Sequence, residues 1–357
     1  MISTSSPSIS GGSEAEAGSK ARSPDATLRE FLLQHEPAFA RLEELRKKGW
    51  ANPRGDGYFK QQRQRADNAG KEAALRFYEM MRQIGDELQR STQALSQTPC
   101  DDEDIKILDL CMAPGGYTAS ALKYNPTAKA FGITLPSAQG GHEVLLRSPQ
   151  CNVVHLDITM LAKEFGIKNI PITHPEQANF LNDRPYRKHR FHLVFCDGQV
   201  LRTHQRAEYR ELQEALRLTV SQLILALQRI RTGGTLVILL HKTEVWDTTE
   251  LLHLFSQFSS IRLFKPRRKH AIRSSFYLVA TDVRPETSAA KSAVETWKQA
   301  WQRATFGGEE GTGEKKTMAS EAYVESVLDQ FGKRLIELGR PIWEIQADAL
   351  SKVDFIK

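Results

Sequence analysis

The stretch that decides the fold is ILDLCMAPGGYTASAL, from Ile107 to Leu122. It begins as a short apolar run, passes through the turn A-P-G-G at 113–116 and continues with residues that favour a helix. This order is typical of a strand that leads into a helix, because glycine lets backbone approach a ligand where a Cβ would collide. The turn is neither the G-x-G-x-x-G of dinucleotide sites nor a P-loop ending in G-K-[ST]. It therefore indicates a nucleotide-type pocket and argues against NAD and ATP.

The surrounding sequence, from Lys106 to Val283, alternates short apolar runs with helix-like segments, as in a parallel sheet with crossover helices. The longest predicted crossover helix runs from Ala207 to Arg231. The last two apolar runs are joined by too few residues for a helix, so they should pair antiparallel. We therefore predict an α/β fold with a seven-stranded, mostly parallel sheet. The predicted strands are KILDLCM, KAFGITL, NVVHLDI, FHLVFCD, GTLVILLH, SIRLFK and SFYLVATDV.

The flanking segments differ from this core in composition. A Ser- and Gly-rich start predicts a disordered tail, and apolar residues at helical spacing predict helices at both ends of the core. A Pro- and Asn-rich insertion at 168–190 is predicted to form a loop at the edge of the sheet. The predicted parts are a tail at 1–25, an N-terminal helical segment at 26–100, the α/β core at 101–285 and a C-terminal helical extension at 286–357. We expect one N-terminal helix across 26–50 and C-terminal helices at 294–303, 319–338 and 341–351.

Composition sets broad limits on function. The chain has 357 residues, 49 basic against 43 acidic, and a net charge of +6, which weakly favours an anionic partner. Its four cysteines lack the close pairs of a zinc site, so we expect reduced thiols, no metal and an intracellular protein of the cytoplasm or nucleus. No apolar run approaches the roughly 18 residues that span a bilayer, and the start lacks the apolar core of a secretory signal. We therefore expect neither membrane insertion nor secretion.

The A-P-G-G element that follows D-L-x-x resembles the first motif of the FtsJ-like 2'-O-methyltransferases. The resemblance extends at most over 54–283 and is specific across 106–242. It implies a Rossmann-like class I methyltransferase fold and S-adenosylmethionine as the cofactor. The start of the helix after the turn would favour the carboxylate of the ligand. By resemblance, the residues around the methionine part are Asp109, Cys111, Ala113, Pro114, Gly115, Gly116 and Tyr117.

Three further positions border the same crevice. Asp157 ends the third predicted strand in NVVHLDI, and by resemblance it would accept from the adenine amino group. The alternative is that Asp157 caps the helical segment that follows it. The second strand ends in GITLP without a carboxylate, which leaves Thr134 or a backbone group as the candidate ribose contact. Asp197 ends the fourth strand, and by resemblance it belongs to both the cofactor site and the catalytic group.

Methyl transfer to an alcohol needs in-line geometry and help in removing the hydroxyl proton, because an alcohol is a weak nucleophile at neutral pH. The resemblance implies a Lys-Asp-Lys-Glu tetrad for this purpose. Asp197 in FHLVFCDGQV and Lys242 in GGTLVILLHK correspond to its second and third members. The segment RGDGYFKQQ resembles the family's R-S-R-A-x-F-K and nominates Lys60 as the first, with Lys71 or Arg63 as alternatives.

The fourth tetrad position departs from the family. KPRRKHAIRSSFYLVA resembles K-P-x-x-S-R-x-x-S-x-E-x-Y-x-V, which puts Ser275 where glutamate belongs. A serine hydroxyl supplies no negative charge to offset two lysines. Either Glu244 compensates, or the acceptor chemistry differs, or activity has been lost.

The last predicted hairpin concentrates positive charge close to the expected acceptor side. Such a cluster suits phosphate contacts and predicts RNA as the substrate, although it could also serve only to keep the sheet edge soluble. Three functions stay open: an RNA ribose 2'-O-methyltransferase, a small-molecule O-methyltransferase, or a cofactor-binding scaffold without activity. The basic residues of the hairpin are Lys265, Arg267, Arg268, Lys269, His270 and Arg273.

Overall fold

The structure is a computed structural model that describes residues 22–55, 57, 60, 70–98, 104–201, 204 and 206–356. Seven strands form one sheet: β1 (Lys106–Leu110), β2 (Lys129–Thr134), β3 (Cys151–His155), β4 (Phe191–Cys196), β5 (Ile230–His241), β6 (Ser260–Phe264) and β7 (Ser275–Val283). Their order across the sheet is β3-β2-β1-β4-β5-β7-β6. The predicted seven-stranded sheet is confirmed.

The direction of the strands places several loops at one edge of the sheet. Strands β1 to β5 are parallel, and β7 runs antiparallel to both β5 and β6. The predicted antiparallel pair at the end is therefore also confirmed. The carboxyl ends of β1 to β6 and the start of β7 share one edge, which we call the carboxyl edge. Its loops lie where ligands bind in open α/β sheets.

Eight helices of the described chain have these bounds: α1 (Pro24–His35), α2 (Pro37–Ala51), α3 (Lys71–Thr92), α4 (Gly116–Tyr124), α5 (Glu214–Arg229), α6 (Trp246–Ser256), α7 (Ser288–Phe306) and α8 (Glu321–Leu350). Successive strand residues point to opposite faces, so the sheet divides the apolar core in two. Leu193 and Phe195 pack on the face covered by α3 and α4. Val194 and Cys196 pack on the opposite face with the remaining helices.

On one side of the sheet, the described connections between successive strands contain no α-helix. The connections at 135–150 and 156–190 contain only short 3₁₀ turns, at Ser137–Gln139, Ile158–Met160 and Gln177–Asn179. The C-terminal α7 packs beside this side, where Trp301 Nε1 donates to the carbonyl of Thr159 at 2.9 Å. The insertion at 168–190 is irregular, as predicted.

The terminal helices differ from the prediction at two places. The single helix expected across 26–50 is two helices, separated at Glu36, whose carboxylate accepts from Ala38 N at 3.0 Å and so caps α2. Conversely, α8 continues through Pro341, where two helices were expected. Proline in a helix costs about 3 kcal/mol. Here Pro341 is exposed and the buried face continues through Ile342 and Trp343, so packing outweighs the lost hydrogen bond.

Some sequence predictions lie outside the described residues, namely those for residues 1–21, Arg63 and Cys100. Within the described chain, helix α1 already begins at Pro24, inside the predicted tail. No described helix has the length and apolar character to cross a membrane. The described residues hold no cluster of His, Cys, Asp and Glu suited to a metal ion, and Cys111, Cys151 and Cys196 are free thiols.

Candidate active site

The glycine turn joins β1 to α4 at the carboxyl edge. Gly115 has φ +98°, in the left-handed region that favours glycine, and α4 begins at Gly116 without a side-chain cap. A Cβ on Gly116 would lie 2.5 Å from Met81 Cβ of α3. From the other side, Leu145 N donates to the carbonyl of Pro114 at 2.9 Å. The turn is therefore enclosed by α3 and by the segment after β2.

Two carboxyl groups lie beneath this turn. Asp109 on β1 is buried, and Thr118 Oγ1 donates to its Oδ2 while Oδ1 has no hydrogen-bond partner among the described residues. Asp197, directly after β4, also has a buried Oδ1 without a described partner. Burial raises the pKa of Asp109 to about 7, and burial together with the Asp109 carboxylate raises the pKa of Asp197 well above its usual range. The carboxyl groups of Asp109 and Asp197 therefore fit a ligand that carries positive charge.

The loop that carries Asp197 is fixed on two sides. Gly198 N donates to Gln222 Oε1 of α5 at 2.9 Å, and Gln222 Nε2 donates to the Gly198 carbonyl at 3.2 Å. A Cβ on Gly198 would lie 2.4 Å from the sulfur of Cys111, which is half-buried. Gln222 was not among the site residues predicted from the sequence. Its signal was a glutamine on the otherwise apolar face of the predicted crossover helix.

Asp157 follows β3 and has both carboxylate oxygens engaged. Its Oδ1 accepts from Thr159 N at 2.9 Å, which caps the 3₁₀ turn, and its Oδ2 pairs with Arg210 at 3.0 Å. Arg210 is buried and also pairs with Glu214 at 2.6 Å. The capping alternative is thus observed, and the adenine contact stays a prediction. Thr134 is buried at the end of β2, opposite His155.

The structure does not bring Lys242 onto Asp197. Lys242 has φ +49° in the turn after β5, is exposed, and its amine makes no hydrogen bond or ion pair within the described chain. Cys196 pairs with Ile238, so one residue further along both strands Asp197 is level with Leu239. Leu239 packs in the same core as Phe195. Lys242 and Asp197 form no ion pair here, because the chain has already left the strand at Lys242. A catalytic role for Lys242 stays a prediction.

The candidates for the first lysine are both exposed. Lys60 and Lys71 lie on the surface of the described chain, and Lys71 is the first residue of α3. Most residues around Lys60 lie outside the described part. A catalytic role for Lys60 therefore stays a prediction.

Ser275 is buried at the start of β7, opposite His241. Glu244, which was considered as a replacement for the missing glutamate, already has partners. Arg46 Nη1 of α2 pairs with its Oε1 at 2.5 Å, and Trp343 Nε1 of α8 donates to its Oε2 at 3.3 Å. Glu244 is therefore neutralised by Arg46 and adds no free negative charge beside Ser275.

Lys265 corrects the prediction for the basic hairpin. Its side chain is buried, and Nζ donates to the carbonyls of Arg273 at 2.5 Å and Ser275 at 2.9 Å. Burial lowers the pKa of Lys265 to about 7. An amine held in this way does not belong to a phosphate-binding surface, and instead it joins the two ends of the hairpin.

The other cations of the hairpin lie on the surface. Arg267, Arg268, Lys269 and Arg273 are exposed, and His270 is half-buried. Because residues 265–274 connect β6 to β7, these side chains stand at the carboxyl edge. The hairpin is fixed to α3 by a hydrogen bond from Arg267 N to Glu87 Oε1 at 2.8 Å. Four exposed cations are thus held on the same edge as the glycine turn.

Comparison with known proteins places the chain in a family. No curated protein matches its sequence. Among solved structures, a protein from Plasmodium falciparum described as a ribosomal RNA methyltransferase is 18% identical, with a TM-score of 0.36 over 57% of this chain and 96% of the other. An rRNA methylase from Streptococcus thermophilus is 12% identical, with a TM-score of 0.32 over 55% and 96%. An O-methyltransferase family protein from Burkholderia thailandensis is also 12% identical, with a TM-score of 0.33 over 73% and 71%.

The family assignment depends on none of these weak likenesses. The profile of FtsJ-like methyltransferases matches residues 90–283, which is more than half of the chain. The glycine turn and both buried carboxyls lie inside this range. Asp109 and Asp197 also suit the positive charge of an ammonium or sulfonium group. The chain belongs to the FtsJ-like methyltransferase family, and its cofactor is S-adenosylmethionine.

Proposed function

We propose that the chain methylates a ribose 2'-hydroxyl of RNA. The observation that carries this proposal is the common position of the cofactor turn and the exposed basic hairpin on the carboxyl edge. A methyl acceptor must reach the cofactor from this edge. A polyanion that does so meets the hairpin, where arginine and lysine side chains can bind its phosphates.

The hairpin cations are available for such contacts. Within the described chain, none of Arg267, Arg268, Lys269 and Arg273 forms an ion pair with a carboxylate. Elsewhere on the surface many cations are paired, as Lys123 is with Asp86 at 2.8 Å. Cations without acidic partners lose no intramolecular contact when they bind phosphate. This favours an RNA over a neutral small molecule as the acceptor.

A second candidate function is cofactor binding without transfer. It is favoured by the side chains beside Asp197, where Leu239 stands level with it on β5 and Ser275 carries no charge. Neither side chain can take a proton from an acceptor hydroxyl at neutral pH. The two candidates differ in whether any acceptor is labelled.

The test measures transfer of labelled methyl from S-adenosylmethionine into RNA and into the small molecules of a host extract. Arg267→Glu with Arg268→Glu reverses two hairpin charges. We expect this variant to lower RNA labelling at physiological salt by about tenfold or more, and to bind RNA with a weaker dependence on salt. Cofactor affinity should not change.

The matched control reverses Arg187 and Lys188, which are exposed just before β4 at the opposite edge of the sheet. We expect wild-type labelling from this control. RNA labelling that survives the hairpin reversal would contradict the role of the hairpin, and label found only in small molecules would overturn the RNA proposal. Cofactor binding with no label in either fraction would support the second candidate.

A further inference from the structure

His241 stands at the carboxyl edge, between the loop that follows β4 and the start of β7. His241 is the last residue of β5 and lies opposite Ser275 of β7. Alternation along the strand puts His241 on the same face as Leu239, which packs in the same core as Phe195 and stands level with Asp197. The side chain of His241 remains exposed, so a substrate can reach it.

One hydrogen bond orients the imidazole. His241 Nε2 lies 3.1 Å from Oε1 of Gln199, two residues after Asp197. An amide oxygen only accepts, so Nε2 carries the proton and donates it to this bond. Nδ1 then keeps its lone pair, the state in which a neutral histidine can accept a proton. The loop of Asp197 therefore holds one nitrogen of the ring and favours the tautomer in which Nδ1 can accept a proton.

From this geometry we infer that His241 is the general base that receives the proton of the acceptor hydroxyl. The inference rests on the proposed function. It assigns the removal of the acceptor proton to His241, because no lysine of the described chain is paired with Asp197. The acceptor oxygen forms its bond to the methyl carbon as the carbon–sulfur bond breaks, and the electron pair of that bond stays on sulfur. The hydroxyl proton passes to Nδ1 of His241 and from there to water.

The groups around His241 keep it neutral. Burial of part of the ring lowers the pKa of His241, and the positive charges of Arg273 and Lys265 in the hairpin lower it further. His270 lies close enough that its own pKa, lowered to about 4 mainly by burial, also responds to His241. From the β4 side the contact is the uncharged Gln199. A histidine with a pKa below its usual value of about 6.5 is unprotonated at neutral pH and free to act.

The experiment compares wild type with His241→Gln and His241→Ala, using the RNA substrate labelled by the wild type. We expect His241→Gln to lower kcat by about 10²- to 10⁴-fold. The wild-type rate should fall as pH drops through a value below about 6.5, and the variant should lack this acid limb. Added imidazole should restore part of the rate of His241→Ala. Affinities for S-adenosylmethionine and RNA should stay at wild-type values.

The control is His253→Gln, because His253 lies in the last turn of α6, where its ring contacts Phe331. This variant should keep both the rate and the acid limb. If His241→Gln also keeps them, the inference is overturned while RNA methylation stands. A wild type that binds the cofactor but labels no RNA overturns the proposed function and the inference with it. Loss of rate without imidazole rescue, with the acid limb intact, would reduce His241 to a structural residue and overturn its role as base.

Discussion

The two halves of the carboxyl edge carry ionisable groups of opposite sign. The half at the ends of β1 to β4, which we call the cofactor half, holds Asp109 and Asp197, each with a buried oxygen that lacks a partner in the described chain. The half at β5 to β7, which we call the acceptor half, holds the buried amine of Lys265, bound to two carbonyls, and a surface of exposed cations. Burial raises the pKa of the acid Asp109 and lowers that of the amine.

The difference shows how one edge of a sheet can bind two ligands of opposite charge at separate places. Unpartnered acids beneath the glycine turn favour a cation, which agrees with a sulfonium cofactor. Exposed arginines and lysines a few strands away favour an anion. Each of the following substitutions alters one half, or the contact between them, and so tests whether the halves are distinct.

The largest effect is expected from Gly116→Val in the cofactor half. Its Cβ would lie 2.5 Å from both Met81 Cβ and the carbonyl of Tyr78, so α4 must move away from α3. Overpacking of this kind costs about 1–3 kcal/mol, so cofactor affinity should fall by about 5- to 150-fold if binding must restore a turn that has moved with α4. Titration calorimetry measures this loss. Gly70→Ala, with no atom within 4 Å of the new Cβ, should leave affinity unchanged.

Asp109→Asn removes the buried acid but keeps its shape. We expect cofactor affinity to fall by about 10- to 100-fold, the equivalent of about 1.5–3 kcal/mol for a hydrogen bond to a charged group. Because the pKa of Asp109 is about 7, wild-type affinity should rise as pH passes upward through 7, and the variant should lose this rise. Exposed Asp282→Asn is the control. A pH-dependent affinity that persists in Asp109→Asn would contradict the role of this carboxylate.

The raised pKa of Asp109 also affects the stability of the fold. An acid whose pKa is raised in the folded state stabilises the fold at low pH, and this contribution is lost as pH rises from about 4 to about 7. The free energy of unfolding of the wild type should therefore decline over that interval. Asp109→Asn should show a smaller decline in urea unfolding at matched pH values.

Lys265→Met tests the acceptor half and should have the opposite dependence on pH. A lysine whose folded pKa is lowered to about 7 stabilises the fold above its unfolded pKa of about 10.4, and this contribution is lost as pH falls through 7. We expect the variant to be less stable by about 1–3 kcal/mol at pH 9, because two carbonyls lose their donor, and by less at pH 6. Urea unfolding at both pH values measures the difference.

Lys269→Met supplies the comparison within the same hairpin, because Lys269 is exposed. It should weaken RNA binding without changing the pH dependence of stability. If Lys265→Met instead weakens RNA binding directly and leaves stability unchanged, the buried position of its amine is wrong.

The smallest effect is expected at the contact between the halves. The hydroxyls of Tyr117 and Tyr277 share a buried hydrogen bond, with Tyr117 on α4 and Tyr277 on β7. Either single change to Phe should cost about 1 kcal/mol of unfolding free energy, and the double change should cost less than the sum of the two. Strictly additive costs in this double-mutant cycle would mean that the bond does not couple the halves.

The sheet could be predicted because its signals are local. Each strand is a compact apolar run, and the short link before Ser275 leaves no room for a crossover. The glycine turn likewise carries its own signature. What could not be predicted depends on contacts between distant residues, such as the pairing of Glu244 with Arg46, 198 positions away. The burial of Lys265 is another case, because a K-P-R-R-K run gives no indication that its first amine faces inward.

His241 lies between these two cases. It directly precedes Lys242, and the alternation of β5 could have placed it on the face of Leu239. Lys242 was the predicted catalytic residue because the FtsJ-like resemblance implies a lysine after this strand. The end of the strand was predicted correctly, since both GTLVILLH and β5 end at His241. The turn at Lys242, with φ +49°, has no sequence signal such as glycine, and Lys242 is exposed in it.

The partners of Glu244 also indicate how much of the chain is needed to make a stable protein. Arg46 and Trp343 belong to α2 and α8, and both lie outside the family segment at 90–283. These two helices also bury apolar side chains, among them Phe39 and Leu42 of α2 and Trp343 of α8. A fragment trimmed to the family segment would leave Glu244 in water and lose these apolar contacts, each worth about 1.5–3 kcal/mol for a large side chain. We therefore expect the unit that folds to be longer than the unit that defines the family.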